Sequence, residues 1–590
     1  MTFVFGPYLL DEPARALRLG ARELPLQPLA FDLLAYLIRH RDRVVPKDEL
    51  LDTLWPDVTV TENSLQRAVS TLRRTLREGG MDGAVRNFPS KGYRFCVDVE
   101  PDEAVPAEDM PDARGDLEDA RLAIDEQRWR DAQAIYERLA ARGALSGEDL
   151  ERWSLALQCL GKQPEAIKVL MRTVTAYTQH ARNQAAAAAA VTLSTIHFER
   201  NETAVSRGWL ARAQDLIAGD TESEAVGRII WLRSRIAAFE GELPRALELA
   251  EETYSFGLRR NNIPTQALGL MYRGFYRLSL GDTRAGLADQ DHASALALSN
   301  HVDPVTGGYL ICNILWACRT FGDWNRANEW TLGYQQFCTT SGMQFSGSCQ
   351  LHRAEVLGVR GSLADALEHI QYALTRLSDE APWSVGDAHR VMGDIHAAMG
   401  NSDPAFAAYE KSYALGWDPE PGHAMLLLER GEPEAAYASL ERSLIGQNWW
   451  TLQRQGMLLA HLALVAVHAG RPEKAQALIE DLAGQNERWP MASIRALTNE
   501  AAGLLAQQQG YAAEALRRWQ LARQLWTSME SQPNAARLRL LIADAQLASG
   551  DHTGAAAELR AAQVAARALG SAKLTAQCQS LQDRIASATS

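Results

Sequence analysis

Cysteine is scarce in this chain: seven residues among 590, scattered with no C-x-x-C pair. That excludes a disulfide framework and the tight ligand pairs of structural zinc sites, and it suits a reducing cytoplasm. Long apolar runs are missing too. The longest, residues 185–191 and 457–467, are too short or carry histidine, whereas a bilayer span needs about 20 apolar residues. No segment with a basic start and an apolar centre opens the chain, so neither export nor a membrane anchor is expected. The phosphate-cradling G-x4-G-K-[ST], zinc-protease H-E-x-x-H and nucleophile-elbow G-x-S-x-G patterns are all lacking. Catalysis has no supporting residues, and no cofactor is expected.

What is present is a folded, mostly helical composition, 46% hydrophobic and 23% charged, with alanine-rich stretches of helical period. At 590 residues the chain exceeds what one core organises, so several domains or a repeat array are expected. The formal net charge of −13 is unevenly spread. Residues 1–99 hold 14 Lys and Arg against 13 Asp and Glu, and within them residues 63–95 hold seven basic residues against only Glu78 and Asp82. Residues 100–119 carry nine acids, one arginine and three prolines. That composition predicts a linker over 100–118, too polar to bury a core and too proline-broken for one helix. Its acids would also compete with DNA for a basic helix.

The stretch TENSLQRAVSTLRRTL (61–76) reads as an amphipathic helix whose polar face bears arginines. Leu65, Ala68, Val69, Leu72 and Leu76 share one face, at the spacing that buries a stripe. Opposite lie Asn63, Arg67, Ser70 and Arg74, flanked by Gln66, Thr71, Arg73 and Arg77. The helix starts near 63, with Asn63 and Thr61 equal candidates for the cap. By itself such a face is also what an ordinary solvated helix shows. Upstream, residues 28–40 and 46–55 each open on proline and read as two further helices. Short apolar stretches at 3–5, 17–19 and 23–26 precede them, and AVRNF with GYRFCVDV around Pro89-Ser90-Lys91-Gly92 reads as a β-hairpin with a basic tip.

This succession, over about residues 3–99, resembles the OmpR/PhoB-type winged-helix DNA-binding domain, in the form that begins the chain in ToxR/CadC-like regulators. The resemblance implies that the third helix enters the major groove and that the hairpin wing reaches the adjacent minor groove. It implies that the loop carrying Trp55, Asp57, Thr59 and Glu62 contacts RNA polymerase, and that tandem protomers bind direct repeats in double-stranded promoter DNA. No receiver domain stands in front, so phosphorelay control is not expected. The membrane segment of ToxR/CadC-like proteins is lacking as well, which places sensing in solution. Side-chain chemistry agrees: Asn, Gln and Arg match base edges in pairs of donors and acceptors, and Ser or Thr suits either edges or phosphates. Base reading is assigned to Asn63, Gln66, Arg67 and Ser70, with Thr71 beside them. Arg73, Arg74 and Arg77 are expected on phosphates, and Lys91 with Arg86 or Arg94 on the backbone or minor groove.

From residue 119 the chain repeats itself. Gly161 and Ala166, Gly241 and Ala246, Gly322 and Ala327, Gly361 and Ala366, Gly400 and Ala405, Gly431 and Ala436, Gly470 and Ala475, Gly510 and Ala515, and Gly550 and Ala555 share one frame. Gly281–Gly286 and Asn201–Ser206 are looser copies, and Gln127–Ala132 is an irregular first one. The period is close to 40 residues, apart from one step of 31 that contains WDPEPGH (417–423), a candidate hinge or break in curvature. Seven residues before each turn glycine the side chain is small, except at Leu315. About 12 helical hairpins are predicted, the glycine turning the chain and the small residue packing on the alanine of the next helix. The pattern is similar to the tetratricopeptide repeat, with the longer unit of MalT-like sensor regions, and implies a solenoid with a concave face. The fold class expected is therefore mainly α: a small α+β winged helix-turn-helix domain (1–99), then an α-α superhelical solenoid (119–590).

Eight aromatics crowd residues 309–345. Tyr309, Trp316, Trp330, Tyr334 and Phe345 are candidates for a ligand or partner region, against the plainer reading of core packing. Cys312, Cys318, Cys338, Cys349 and His352 lie there too, at spacings that poorly match a zinc site and suit buried core cysteines; no metal is expected. The combined expectation is a cytoplasmic, nucleoid-associated, sequence-specific transcription regulator whose solenoid senses a small-molecule or protein effector and controls homo-oligomer formation. The alternative is a protein–protein adaptor whose winged domain has lost sequence specificity.

Overall fold

Four short strands open the chain: β1 (Thr2–Phe5), β2 (Tyr8–Asp11), β3 (Ala16–Leu19) and β4 (Arg22–Leu24). Three helices follow, α1 (Pro28–Arg39), α2 (Lys47–Leu54) and α3 (Glu62–Arg77), and then a hairpin of β5 (Val85–Phe88) and β6 (Gly92–Phe95). A last strand, β7 (Glu100–Pro101), completes the larger sheet, whose order is β4-β3-β2-β1-β7. All its neighbours are antiparallel, β1 pairing Phe3 with Leu10 on one side and with Pro101 on the other. The sheet thus takes in the first two residues of the expected linker.

The computed structural model describes residues 2–11, 15–20, 22–24, 26–54, 62–81, 83–89, 91–97, 99–101, 113–143, 145–299, 301–445 and 449–589. Most of the expected linker, 102–112, lies outside them, as do Trp55, Asp57 and Thr59 of the expected polymerase-contact loop. The described chain divides into two compact units, 1–116 with 138–143, and 117–137 with 144–590.

In the first unit the apolar stripe of α3 is buried as its period demands, Leu72 and Leu76 completely, against Leu33, Leu37 and Phe95 of one core. The helix starts at Glu62, which puts Asn63 inside its first turn and not at the cap; Thr61 is outside the described residues. Pro28 opens α1 as expected, where a missing N–H costs nothing. Gly92 begins β6 at φ +131°, and a Cβ there would lie 1.9 Å from the Val45 carbonyl oxygen. Only glycine fits that position.

In the second unit paired helices run from Gly147–Cys159 to His552–Leu569, and Ala572–Thr589 closes the series. The turn residues of the repeat frame, from Gly161 to Gly550 and including Asn201, are all left-handed, at φ between +60° and +101°, as is Gln127. This is the conformation that closes a helix without strain when the residue is glycine. The small partners meet as predicted. A Cβ on Gly274 would lie 2.7 Å from the Gly286 carbonyl, and Ser194 and Ser206 exchange hydroxyl-to-carbonyl hydrogen bonds at 2.7 and 2.8 Å. The short step shows as the eight-residue helix Gly422–Glu429. These are tetratricopeptide-like helical hairpins.

One feature departs from an extended solenoid with a single long groove: the superhelix touches itself after about four repeats. Ser493, Ser531 and Ser571, each at the start of a helix, donate to the carbonyls of Gly322, Val359 and Ala398, which are 171, 172 and 173 residues earlier. Gly322, Gly361 and Gly400 face the next turn of the superhelix, where Met457, Leu569 and Lys573 would collide with a Cβ.

Candidate nucleic-acid interface

The exposed side of α3 is aimed by its own ends. Tyr8 sits fully buried at the carboxyl end of the helix; its hydroxyl donates toward the carbonyls of Thr75 and Leu76 (2.9 and 3.0 Å) and accepts from the Gly79 N–H (2.7 Å). That hydroxyl closes backbone groups the helix end would leave open. Burial pushes the Tyr8 phenol up, so it stays a neutral donor. Nothing in the pattern of 61–76 pointed to Tyr8, because it comes from a four-residue strand some 70 positions earlier.

Gln66, Arg67, Ser70, Arg74 and Arg77 are all exposed, and Thr71 and Arg73 are half-buried. Arg73 has a second occupation: its Nε and Nη2 both donate to the Val85 carbonyl (3.0 and 2.7 Å), tying α3 to the hairpin. On the hairpin, Arg86 and Arg94 are direct cross-strand partners and share a face. Like charges opposite each other weaken a sheet unless something anionic joins them. Arg94 Nε donates to the Arg41 carbonyl at 2.9 Å, while Arg86 and the tip residue Lys91 are exposed. Arg67, Arg74, Arg86 and Lys91 make no side-chain hydrogen bond or ion pair among the described residues. Asn87 is exposed too, but as the next residue of the strand it points to the face opposite Arg86. Glu62 and Asn63 occupy the first two positions of α3. A helix and a wing hairpin that present unneutralised guanidinium and ammonium groups form an anion-binding surface, and a row of them suits a polyphosphate backbone.

The solenoid treats charge differently. Arg319, 2% exposed in its side chain, donates to Glu355, to Asp387 (2.9 Å) and to His352 Nδ1 (2.7 Å). Arg390 donates to Asp387 (2.8 Å), Asp394 (2.8 Å) and Glu355 (2.9 Å), and the Tyr409 hydroxyl donates to Asp394 (2.7 Å). Burial lifts the Asp394 carboxyl to about 6, and burial beside Arg319 holds His352 neutral, far below its usual range. The expected effector residues scatter over this unit. Tyr309 is half-buried beside Arg235, whose guanidinium lies over Phe198, Trp231, Tyr272 and Tyr309 at 4.6 to 5.6 Å and pairs with Glu199 at 2.7 Å. Tyr334 and Phe345 pack edge to face at 5.4 Å, and Trp330 packs on the same core. Of the five, Trp316 alone lines the large cavity inside the solenoid. Cys318, Cys338 and Cys349 are buried, and no cluster of three or more His, Cys, Asp or Glu side chains is placed to hold a metal ion among the described residues. No helix among them is long and apolar enough to cross a membrane.

Residues 21–95 match the family model described as "Transcriptional regulatory protein, C terminal". The transcriptional activator CadC of Escherichia coli is 30% identical over 96 residues, which are 16% of this chain and 19% of that protein. The transcriptional regulator HilA of Salmonella typhi is 32% identical over 93 residues, 16% of this chain and 17% of that protein. The solved DNA-binding domain of E. coli CadC aligns at 28% identity over 17% of this chain and 94% of that one, with a TM-score of 0.16. The chain thus spans about a fifth of the length of these curated relatives. The first unit carries an OmpR/PhoB-type DNA-binding domain of the transcriptional-regulator family.

Proposed function

We propose that this protein is a sequence-specific DNA-binding transcription regulator in which the winged domain reads promoter direct repeats and the solenoid receives the signal. The observation that carries the reading is the exposed row on α3 and the wing, where Arg67, Arg74, Arg86 and Lys91 stand unneutralised in a chain of net charge −13. In this reading α3 lies in the major groove. Asn63, Gln66, Arg67 and Ser70 read bases there, with Thr71 at their margin. Arg74 and Arg77 hold phosphates, Arg73 supports the wing while reaching the backbone, and Arg86, Lys91 and Arg94 follow the neighbouring minor groove. The stretch bearing Trp55, Asp57, Thr59 and Glu62 contacts RNA polymerase. Occupancy of the solenoid by a small molecule or protein changes self-association, and so the effective concentration of winged domains at paired half-sites. The protein then works in the cytoplasm, on the nucleoid.

The test is selection of genomic fragments by the purified full-length protein, followed by titration of the best fragment with wild type and Arg67→Ala at two salt concentrations. A repeated motif whose base preference relaxes in Arg67→Ala is the expected result. Uniform, salt-sensitive binding to every fragment would overturn sequence-specific regulation and leave the solenoid's partner as the main function.

A further inference from the structure

A buried cysteine ordinarily acts as an inert small hydrophobe. Cys159, Cys318 and Cys578 fit that description: all three are buried, and burial lifts each thiol above its ordinary value, Cys318 to about 12. Cys312 and Cys349 do not. They lie on helices Pro304–Phe321 and Gly347–Arg360, which belong to neighbouring hairpins, and their thiols hydrogen-bond to each other. The Ser346 and Tyr334 hydroxyls also hydrogen-bond to the Cys349 sulfur, and Cys338 hydrogen-bonds to the same phenol. Three sulfurs and a phenol thus form one buried cluster.

The two thiols are unequal. Cys349 is the third residue of its helix, where the positive end of the helix dipole favours a thiolate, and its own N–H donates to the Ser346 cap at 3.2 Å. Burial works to raise its thiol, but hydrogen bonds from Cys312, Ser346 and Tyr334 outweigh burial and bring Cys349 below its ordinary value. Cys312 is the donor: the hydrogen bond it gives Cys349, together with burial, holds its proton far above the ordinary range. A thiolate-prone sulfur touching a protonated one pairs an attacking thiol with a resolving thiol. Access differs as well. Cys349 is 2% exposed, whereas Cys312 is half-buried on the stripe that also carries Tyr309 and Trp316, and Trp316 lines the cavity inside the superhelix. An oxidant that enters by this route has to be close to water in size. Further along the same two helices buried Arg319 pairs with Glu355, so the sulfurs are kept opposite each other without a bond between them.

We propose that Cys312 and Cys349 are a redox site for hydrogen peroxide, closed in place to a disulfide that staples two neighbouring hairpins. The Cys349 sulfur attacks one peroxide oxygen: the S–O bond forms, the O–O bond breaks, and the departing hydroxide leaves as water with the Cys349 proton. The Cys312 sulfur then attacks the sulfenic sulfur: the S–S bond forms, the S–O bond breaks, and a second water carries off the Cys312 proton. Each sulfur loses one electron and the peroxide takes both. A dithiol reductant reopens the bond by exchange. The stapled helices lead to Gly322 and Val359, whose carbonyls accept from Ser493 and Ser531 of the next turn. Oxidation therefore bears on the self-contact of the superhelix, and as a signal it rests on the reading above, in which the solenoid receives one.

The reduced full-length protein is exposed to hydrogen peroxide, alkylated, and digested without reductant for mass spectrometry. The expected product is a Cys312–Cys349 linked peptide pair that dithiothreitol separates, formed about tenfold or more faster than the exposed Cys96 is oxidised. Cys312→Ser should block the link and leave Cys349 oxidised, read as added oxygen on its peptide. Cys312 and Cys349 both alkylated after Cys96 is oxidised, or Cys349 linked to Cys338, overturns the proposal, as does a folded Cys312→Ser in which Cys349 stays fully alkylated. If Cys312→Ser does not fold, the linked pair in wild type decides alone. Fragment selection is run on the reduced protein, so the two readings fail separately. A retained DNA motif without the disulfide sinks only the redox site, and the disulfide in a protein that selects no motif upholds the site and sinks the regulator. Reduced and oxidised protein should differ about fivefold or more in affinity for the selected fragment; equal affinity overturns the disulfide as a signal.

Discussion

The two units of this chain handle arginine in opposite ways. On α3 and the wing Arg67, Arg74 and Arg86 stand exposed and form no ion pair among the described residues. In the solenoid Arg319 and Arg390 are buried and every nitrogen has a partner. Exposed and unpaired cations contribute little to stability and leave their field for a ligand. Buried and paired ones contribute structure and have little left for binding. Partnering, more than the number of charges, separates an interface from a scaffold.

The sharpest way to break this contrast is to remove one cation of each kind. Arg390→Met leaves Asp394 without a cation, and Glu355 and Asp387 with Arg319 alone, and should cost about 3–5 kcal/mol of solenoid stability, read as a shifted urea midpoint of the full-length protein. Arg67→Ala should change stability by less than about 0.5 kcal/mol while reducing DNA affinity. Equal effects of the two on unfolding would dissolve the distinction. A second substitution tests the wing alone. Gly92→Ala drives a Cβ against the Val45 carbonyl and should cost about 2 kcal/mol or more, detected as earlier thermal unfolding of the winged domain with no shift in the solenoid transition.

Acid should separate the units as well. Burial near Lys411 depresses His389 to about 4, so the folded solenoid excludes a proton that the unfolded chain binds below its ordinary value near 6.5. The stability this neutral histidine supports is intact above about 6.5 and is lost as pH falls toward 4. Relative to wild type, His389→Gln should therefore gain about 1–2 kcal/mol between pH 7 and pH 5, measured by urea midpoints at both. In the winged domain Glu49, held at about 2 by its hydrogen bonds from Arg43 and Tyr36, acts in a lower window. Its contribution is present above about 4.5 and is lost as pH falls toward 2. The smallest expected effects are in salt. Lys91→Ala should weaken binding to all DNA sequences alike and lower the slope of log K against log salt by about one, checked by titration at several salt concentrations; a changed base preference would move Lys91 from backbone to base contact.

Much of this was legible in the residues. The stripe from Leu65 to Leu76 and the Gly-to-Ala frame are local periodicities, and a single helix or hairpin expresses them whatever surrounds it. Strands β2 and β7 were not legible, because four and two residues give no period to detect and pairing with β1 decides them. The cavity was only half visible. The aromatic excess led to Trp316, but Trp417 and Arg454 reach the same cavity through folding across repeats. Tyr309 and Tyr334 were drawn from the same excess and do not line it.

The serine contacts at Gly322, Val359 and Ala398 set a kinetic and evolutionary limit on this solenoid. An extended repeat array folds by adding neighbours and tolerates gain or loss of a unit anywhere along its length. Here three hydrogen bonds join residues more than 170 positions apart, and all three loops enclose the short 31-residue step. Such closure raises contact order and slows folding. It also makes the middle of the array intolerant of length change: one unit inserted between Gly400 and Ser493 would slip every serine past its carbonyl, whereas a unit added beyond Ala572–Thr589 would leave all three in register.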